Sequence, residues 1–135
     1  MRHAPYQKEV ESAAAMSEAA RLEYFLTRVF EAEEVWGLDD GCEWIVEERD
    51  GQQLMPLWPY EQFAQAAAQF GWKDCLPAAE SLEDFLYNTL PGLIAEDYML
   101  NIMATPGVDG CFVSPQRLYA ILEGMIEAGE YKLDA

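Results

Sequence analysis

Nine carboxylates and one base, Arg49, fall between residues 31 and 50, so this stretch alone carries a net charge of −8 (nine acids less one base). Trp36 and Trp44 are threaded through it, and Trp58 and Tyr60 follow closely. Acids at this density can hold a hard cation, act as an acid/base pair on a glycoside, or present a negative surface to a basic partner. Spacing discriminates among these. An EF-hand register begun at Asp39 puts Trp44 where the loop requires glycine, so that register fails. Asp39, Asp40 and Glu43 are left as turn acids that could meet a cation only weakly. No spacing singles out a carboxylate pair for glycoside hydrolysis. The plainest reading of such a run is a solvated face, and the functional one is a surface that steers a basic partner.

Other chemistries are poorly provided for. The single histidine is His3, so neither a Cys-His nor a Ser-His-Asp site can be built around an imidazole in the body of the chain. The three cysteines, Cys42, Cys75 and Cys111, are far apart and form no CxxC pair, which argues against a disulfide framework or a zinc site. A reactive thiol among them would need an activating cation, and the surrounding charge is negative. There is no glycine-rich phosphate loop and no HExxH motif. No catalytic residue and no cofactor are expected, and whether the protein is an enzyme stays undecided.

The whole chain extends the same bias, with 25 acidic residues against 8 basic ones in 135, a net charge of −17. Nucleic-acid binding is not expected, because phosphate neutralisation supplies most of that affinity. Anionic membranes are disfavoured for the same reason. Half the residues are apolar and 13% aromatic, which suits a packed core. No apolar run is long enough to span a bilayer, and the N-terminus lacks a signal-like apolar region. A soluble cytoplasmic protein is the expectation.

The elements that must position these residues can be read in order. An Ala/Glu-rich segment over residues 1–20 reads as a helical or partly mobile extension ahead of one α+β domain over 21–135. Leu22, Phe25, Leu26, Val29 and Phe30 recur at helical spacing, with Arg21, Thr27, Arg28 and Glu31 on the opposite face. This helix should end near Glu33 and feed into Val35. Asp39-Asp40-Gly41 and Asp50-Gly51 supply turns between three short strands, predicting an antiparallel meander with Trp44 and Val46 on one face and Glu43, Ile45 and Glu47 on the other. Pro56 should end the third strand or place it at an edge.

Pro59 suits the first turn of a helix whose buried stripe is Phe63, Ala66, Ala67 and Phe70, stopped at Gly71. Residues 72–80 read as a loop. Ser81 caps a further helix carrying Leu82, Phe85, Leu86, Leu90 and Leu93, which Pro91 should kink or end. Tyr98 to Ala104 alternate as a fourth strand, with Met99 and Met103 on one of its faces. Thr105 to Gly110 form a loop, and Ser114-Pro115 open a last helix with Leu118, Ile121, Leu122, Met125 and Ile126, closed by Gly129. The expected order is α-βββ-α-α-β-α: an antiparallel four-stranded sheet, a three-stranded meander plus one later strand, covered by about four helices.

The ordered series Val35-Trp36-x-Leu38, Asp40-Gly41, Asp50-Gly51, Leu54-x-Pro56-Leu57-Trp58-Pro59, Ala64 and Trp72 resembles the bacterial family known as domain of unknown function 2750. Ser81-Leu82-x-x-Phe85-Leu86 and Leu90-Pro91-Gly92-Leu93 are similar too, and the likeness spans roughly residues 20–128. It implies a small bacterial cytoplasmic protein and carries over no catalytic residues.

Two functions from different classes remain. The first is an acidic interaction module, of inhibitor, immunity-type or adaptor kind, docking on a basic partner through Trp36, Glu43, Glu47, Glu48 and Trp58. It rests on aromatic anchors rimmed by charge, although tryptophans on a small sheet serve equally as core. The second is a small-molecule site or minor enzyme in a pocket between sheet and helices. DNA mimicry by an ordered array of carboxylates is a third and weaker idea.

Overall fold

A computed structural model describes residues 7–129, with side-chain surroundings from Val10 onward. His3 and part of the expected N-terminal extension lie outside the described residues. The chain enters through a short helix α1 (Gln7–Ser12) and a single 3-10 turn, Ala13–Ala15. Helix α2 (Glu18–Ala32) follows, opened by the Ser17 hydroxyl, which accepts the Ala20 N–H at 3.1 Å. Phe25, Val29 and Phe30 are buried as their spacing requires. Glu33 takes a left-handed conformation (φ 56°), ending α2 and turning the chain directly into β1 (Glu34–Asp39).

The meander is not formed. Residues β1 pairs instead with β4 (Leu76–Ser81), antiparallel, in a two-stranded sheet. The Leu76–Ser81 stretch is proline- and alanine-rich and lacks apolar alternation, so it reads as loop until the buried β1 recruits it as a partner. The Asp39-Asp40-Gly41 turn does not lead into a strand either. Asp40 Oδ1 accepts the N–H groups of Cys42 (2.9 Å) and Glu43 (3.1 Å), and Ile45 N–H bonds back to Leu38 C=O at 2.7 Å. The carboxylate thus competes for backbone donors that a ladder would use. Only Glu47–Arg49 is left as strand β2.

The Asp50-Gly51 turn behaves as expected. It joins β2 to β3 (Gln52–Leu57) as a two-residue hairpin, both turn residues having positive φ (53° and 81°). β3 ends one residue after Pro56, close to where the proline was expected to stop it, but it is an interior strand and not an edge. The order is β2-β3-β5-β6, with β5 (Met99–Ile102) parallel to β3 and β6 (Cys111–Val113) antiparallel to β5. Proline is tolerated because Pro56 stands level with Asn101 of β5, while β2 on the other side extends only as far as Leu54. The architecture is therefore α+β with two sheets, one antiparallel and one mixed, in place of a single antiparallel sheet.

The parallel β3–β5 pair requires a long crossover, and helices supply it. α3 (Glu61–Ala68) begins two residues after Pro59 and ends before Phe70. Phe70 is consequently 64% exposed, where the helical stripe had placed it in the core. Ser81 caps the next segment, accepting the Asp84 N–H at 3.1 Å. That segment runs unbroken through α4 (Leu82–Asp84), a π-helical stretch Phe85–Thr89 and α5 (Leu90–Ala95). Pro91 does not end it. The wider π turn, with Leu90 N–H reaching Phe85 C=O, absorbs the proline that an α-helical ladder would resist. Leu82, Phe85, Leu86, Leu90 and Leu93 are all buried. α6 (Pro115–Glu127) opens at Ser114, whose hydroxyl accepts the Arg117 N–H at 3.2 Å, and buries Leu118 and Leu122.

Among the described residues, no helix is long and apolar enough to cross a membrane. Met55, Leu57, Leu100, Ile102 and Val113 share one face of the mixed sheet and lie in the core.

Candidate functional site

The five residues singled out for partner contact are not gathered into one patch. Trp36 is half-buried in β1, level with Ala79 of β4. Trp58 is fully buried, and its indole Nε1 donates to Ala104 C=O at 2.7 Å, so it contributes internal support and no surface. Tyr60 is buried beside it in sequence and stacks on Phe63 at 6.3 Å between centroids. Glu47 and Glu48 are neighbours on β2, and alternation sends them to opposite faces of the sheet. Glu48 is exposed, whereas Glu47 accepts from Arg49 Nη2. Glu43 is exposed in the loop after β1.

Two of the molecule's depressions involve these residues. The first, of about 390 Å³, lies between the 43–46 loop and the helical segment that carries the π stretch. Glu43, Trp44, Val46, Met55, Glu96 and Tyr98 are among its lining residues, and among the described residues no lysine or arginine lines it. Trp44 is seated there by Gly37: a Cβ at that position would come within 2.5 Å of the indole ring. Trp44 and Trp36 accordingly use opposite faces of β1, since Gly37 and Trp36 are successive residues.

The second, of about 380 Å³, lies on the face of the mixed sheet that carries Glu47, Arg49 and Asn101. Phe70, Trp72, Thr105 and Val108 complete it. Its outer wall is the 103–110 loop, which four elements hold in place. Arg21, from α2, donates Nη1 to Met103 C=O (2.6 Å) and to Thr105 Oγ1 (3.3 Å). Trp58 holds Ala104, Asn101 Oδ1 accepts the Gly110 N–H at 2.8 Å, and Arg49 Nη1 donates to Asp109 Oδ2 at 2.6 Å. Thr105 and Val108 close the loop on itself with reciprocal backbone bonds of 3.0 and 2.9 Å. A loop pinned this way presents its Pro106-Gly107-Val108 tip in one fixed arrangement against Phe70.

Arg21 reverses its sequence reading. It is only 2% exposed, and Met16 C=O (3.1 Å) and Ala14 C=O (3.0 Å) complete its partners among the described residues, each of which offers it an uncharged oxygen. Burial lowers its pKa, yet guanidinium titrates so high that the charge is kept. Helical periodicity registers hydropathy alone and could not have found a buried cation. The Thr105–Gly110 loop was legible as a loop, but its four anchors come from sequence positions up to 84 residues away.

Hydrogen bonds to Asp109 and Glu47 raise the pKa of Arg49. Two backbone N–H donors hold the Asp40 carboxyl below the usual value. Burial pushes the thiols of Cys75 and Cys111 up, and for Cys75 the charges of Asp40, Asp74 and Asp39 add to this. Neither thiol is thereby primed as a nucleophile. Among the described residues no three His, Cys, Asp or Glu side chains converge in a metal-holding group.

No curated protein matches the chain. A family model described as protein of unknown function (DUF2750) matches residues 22–122, which takes in both depressions and the elements that shape them. With most of its length inside that match, the chain belongs to the DUF2750 family.

Proposed function

We propose that the protein is an acidic interaction module that docks on a basic segment of a partner protein. The observation that carries this reading is the first depression: Trp44 and Tyr98 line it beside Glu43 and Glu96, with no cation among the described lining residues. A lysine or arginine side chain entering it meets aromatic faces and carboxylates together, the combination that favours a desolvated cation. The −8 charge of residues 31–50 and the −17 charge of the chain accelerate approach of a positive partner. Of the residues first considered, Glu43 lines this groove; Trp36, Glu47 and Glu48 lie outside its lining, and Trp58 supports the fold.

The test uses the full chain as bait in a pull-down from cells at low and at high salt, beside a Glu43→Gln/Glu96→Gln double variant. The expected result is a basic protein retained at low salt, released at high salt, and lost by the double variant. A Glu31→Gln/Glu48→Gln control, altered on exposed acids that do not line the groove, keeps it. Equal retention by both double variants would show that charge alone, and not this groove, is recognised.

A further inference from the structure

We infer that the second depression is a separate binding site for a small, neutral, planar carbonyl compound, of the amide or lactam class. Its floor is Asn101, 98% buried (2% exposed) on the central strand β5. Gly110 N–H donates to the side-chain amide at 2.8 Å, which identifies the oxygen and leaves Nδ2 as the other atom. That Nδ2 has no hydrogen-bond partner among the described residues, although Asn101 lines the cavity. The amide N–H groups are therefore open to the cavity, where a carbonyl oxygen would accept from them in place of water. Thr105 stands beside it, also buried; its hydroxyl accepts from Arg21 and keeps its own proton to donate. The floor therefore offers donors and calls for an acceptor.

The walls specify the rest. Trp72 and the largely exposed Phe70 provide aromatic surface for a flat ring, and Trp72 is braced edge-on against Trp58 at 6.4 Å between centroids. The rim sets one guanidinium against two carboxylates, a net charge of −1. Arg49 is engaged by Glu47 and Asp109, so no cation is free to draw in an anion, and both carboxylates are occupied. A neutral acceptor fits better than an anion, which the net negative rim repels, and better than a cation, which offers the donors of Asn101 and Thr105 nothing to bond. The volume of about 380 Å³ is in the range of metabolite sites. The 103–110 loop, pinned from four elements, supplies a preformed wall that binding need not order.

The experiment titrates the full chain with benzamide, benzoate and benzylammonium, three probes sharing one ring and differing in charge. Nuclear magnetic resonance follows the Asn101 side-chain amide and the Trp72 indole N–H. Benzamide is expected to shift both signals saturably. Benzylammonium, which has no acceptor, should bind at least about ten-fold more weakly, the worth of one hydrogen bond. Benzoate should be weakened by repulsion from Glu47 and Asp109 and by the desolvation of its charge. Asn101→Asp keeps the acceptor for Gly110 N–H and replaces the donor, and should weaken benzamide by a similar factor. Phe70→Ala, at an exposed wall, should weaken it several-fold without unfolding the protein. The inference is overturned by the absence of a saturable benzamide shift, or by equal binding of the three probes. A folded Asn101→Asp protein that binds benzamide undiminished also overturns it. If that variant does not fold, undiminished binding by Phe70→Ala decides against the site.

Discussion

Trp36 and Trp58 exchange both of their backbone hydrogen bonds, N–H to C=O at 2.8 Å in one direction and 2.9 Å in the other. This antiparallel bridge joins the two-stranded sheet to the four-stranded one. It is made by main chain, so the Trp36 side chain is free to vary, whereas the Trp58 indole has a second task at Ala104. Trp58→Phe should therefore cost about 2 to 4 kcal/mol, from lost volume and an orphaned carbonyl. Trp36→Phe should cost clearly less. Urea denaturation of both variants measures the difference.

Arg21 ties the N-terminal turn, α2 and the 103–110 loop together through uncharged oxygens. Arg21→Ala orphans those carbonyls and opens a cavity, and should lose on the order of 3 to 5 kcal/mol. Arg21→Lys should recover little, because one ammonium cannot span the four acceptors that a guanidinium fork reaches. Thermal or urea unfolding of the two variants checks this, with exchange of the Gly110 amide reporting the loop.

Gly37 is a spacer for Trp44. A methyl there would overlap the indole at 2.5 Å, and the half-buried ring can swing away where a backbone atom could not. Gly37→Ala should thus cost only about 1 to 3 kcal/mol while displacing Trp44 from the acidic groove. Tryptophan emission should move to the red, and partner capture should fall with Glu43 and Glu96 intact. Gly110→Ala is the contrast: its Cβ would sit 1.9 Å from Ile102 C=O, and the folded protein should not be recovered.

Asp40 is the acid whose titration the turn controls. Its pKa lies below the ordinary 3.8 because Cys42 and Glu43 donate backbone N–H groups to the carboxylate. A pKa depressed on folding contributes stability above the unfolded value and loses it as pH falls through the folded one. The contribution is complete at neutral pH and disappears below about pH 3.8. Asp40→Asn keeps an oxygen acceptor and has no proton to gain, so its acid-unfolding profile should be flatter. Carboxyl carbon shifts of the parent protein followed through the same range report Asp40 directly.

Local chemistry carried much of the fold. The hydroxyl caps at Ser81 and Ser114, the Asp50-Gly51 hairpin, the arrest of α2 at Glu33 and the buried leucines after Ser81 all follow from propensity and spacing between near neighbours. These interactions span a few residues, so the residues involved are visible side by side. Pairing between distant strands was not visible. Leu76–Ser81 has weak strand character and becomes β4 only because β1 needs a partner; β5 finds β3 across a helical crossover.

The same division runs through the candidate site. Carboxylate density and aromatic content are properties of the chain, and the proposal of a basic partner rests on them whatever the fold. Which of those residues reach solvent together is a property of packing. β-strand alternation splits Glu47 from Glu48, a hydrogen bond to Ala104 draws Trp58 inward, and the close approach at Gly37 sends Trp44 to join Tyr98. Asn101 is a polar residue within an apolar pattern and Arg21 a cation on the helix face read as polar; the returning loop meets both, and the C=O groups of Met16 and Ala14 complete the setting of Arg21.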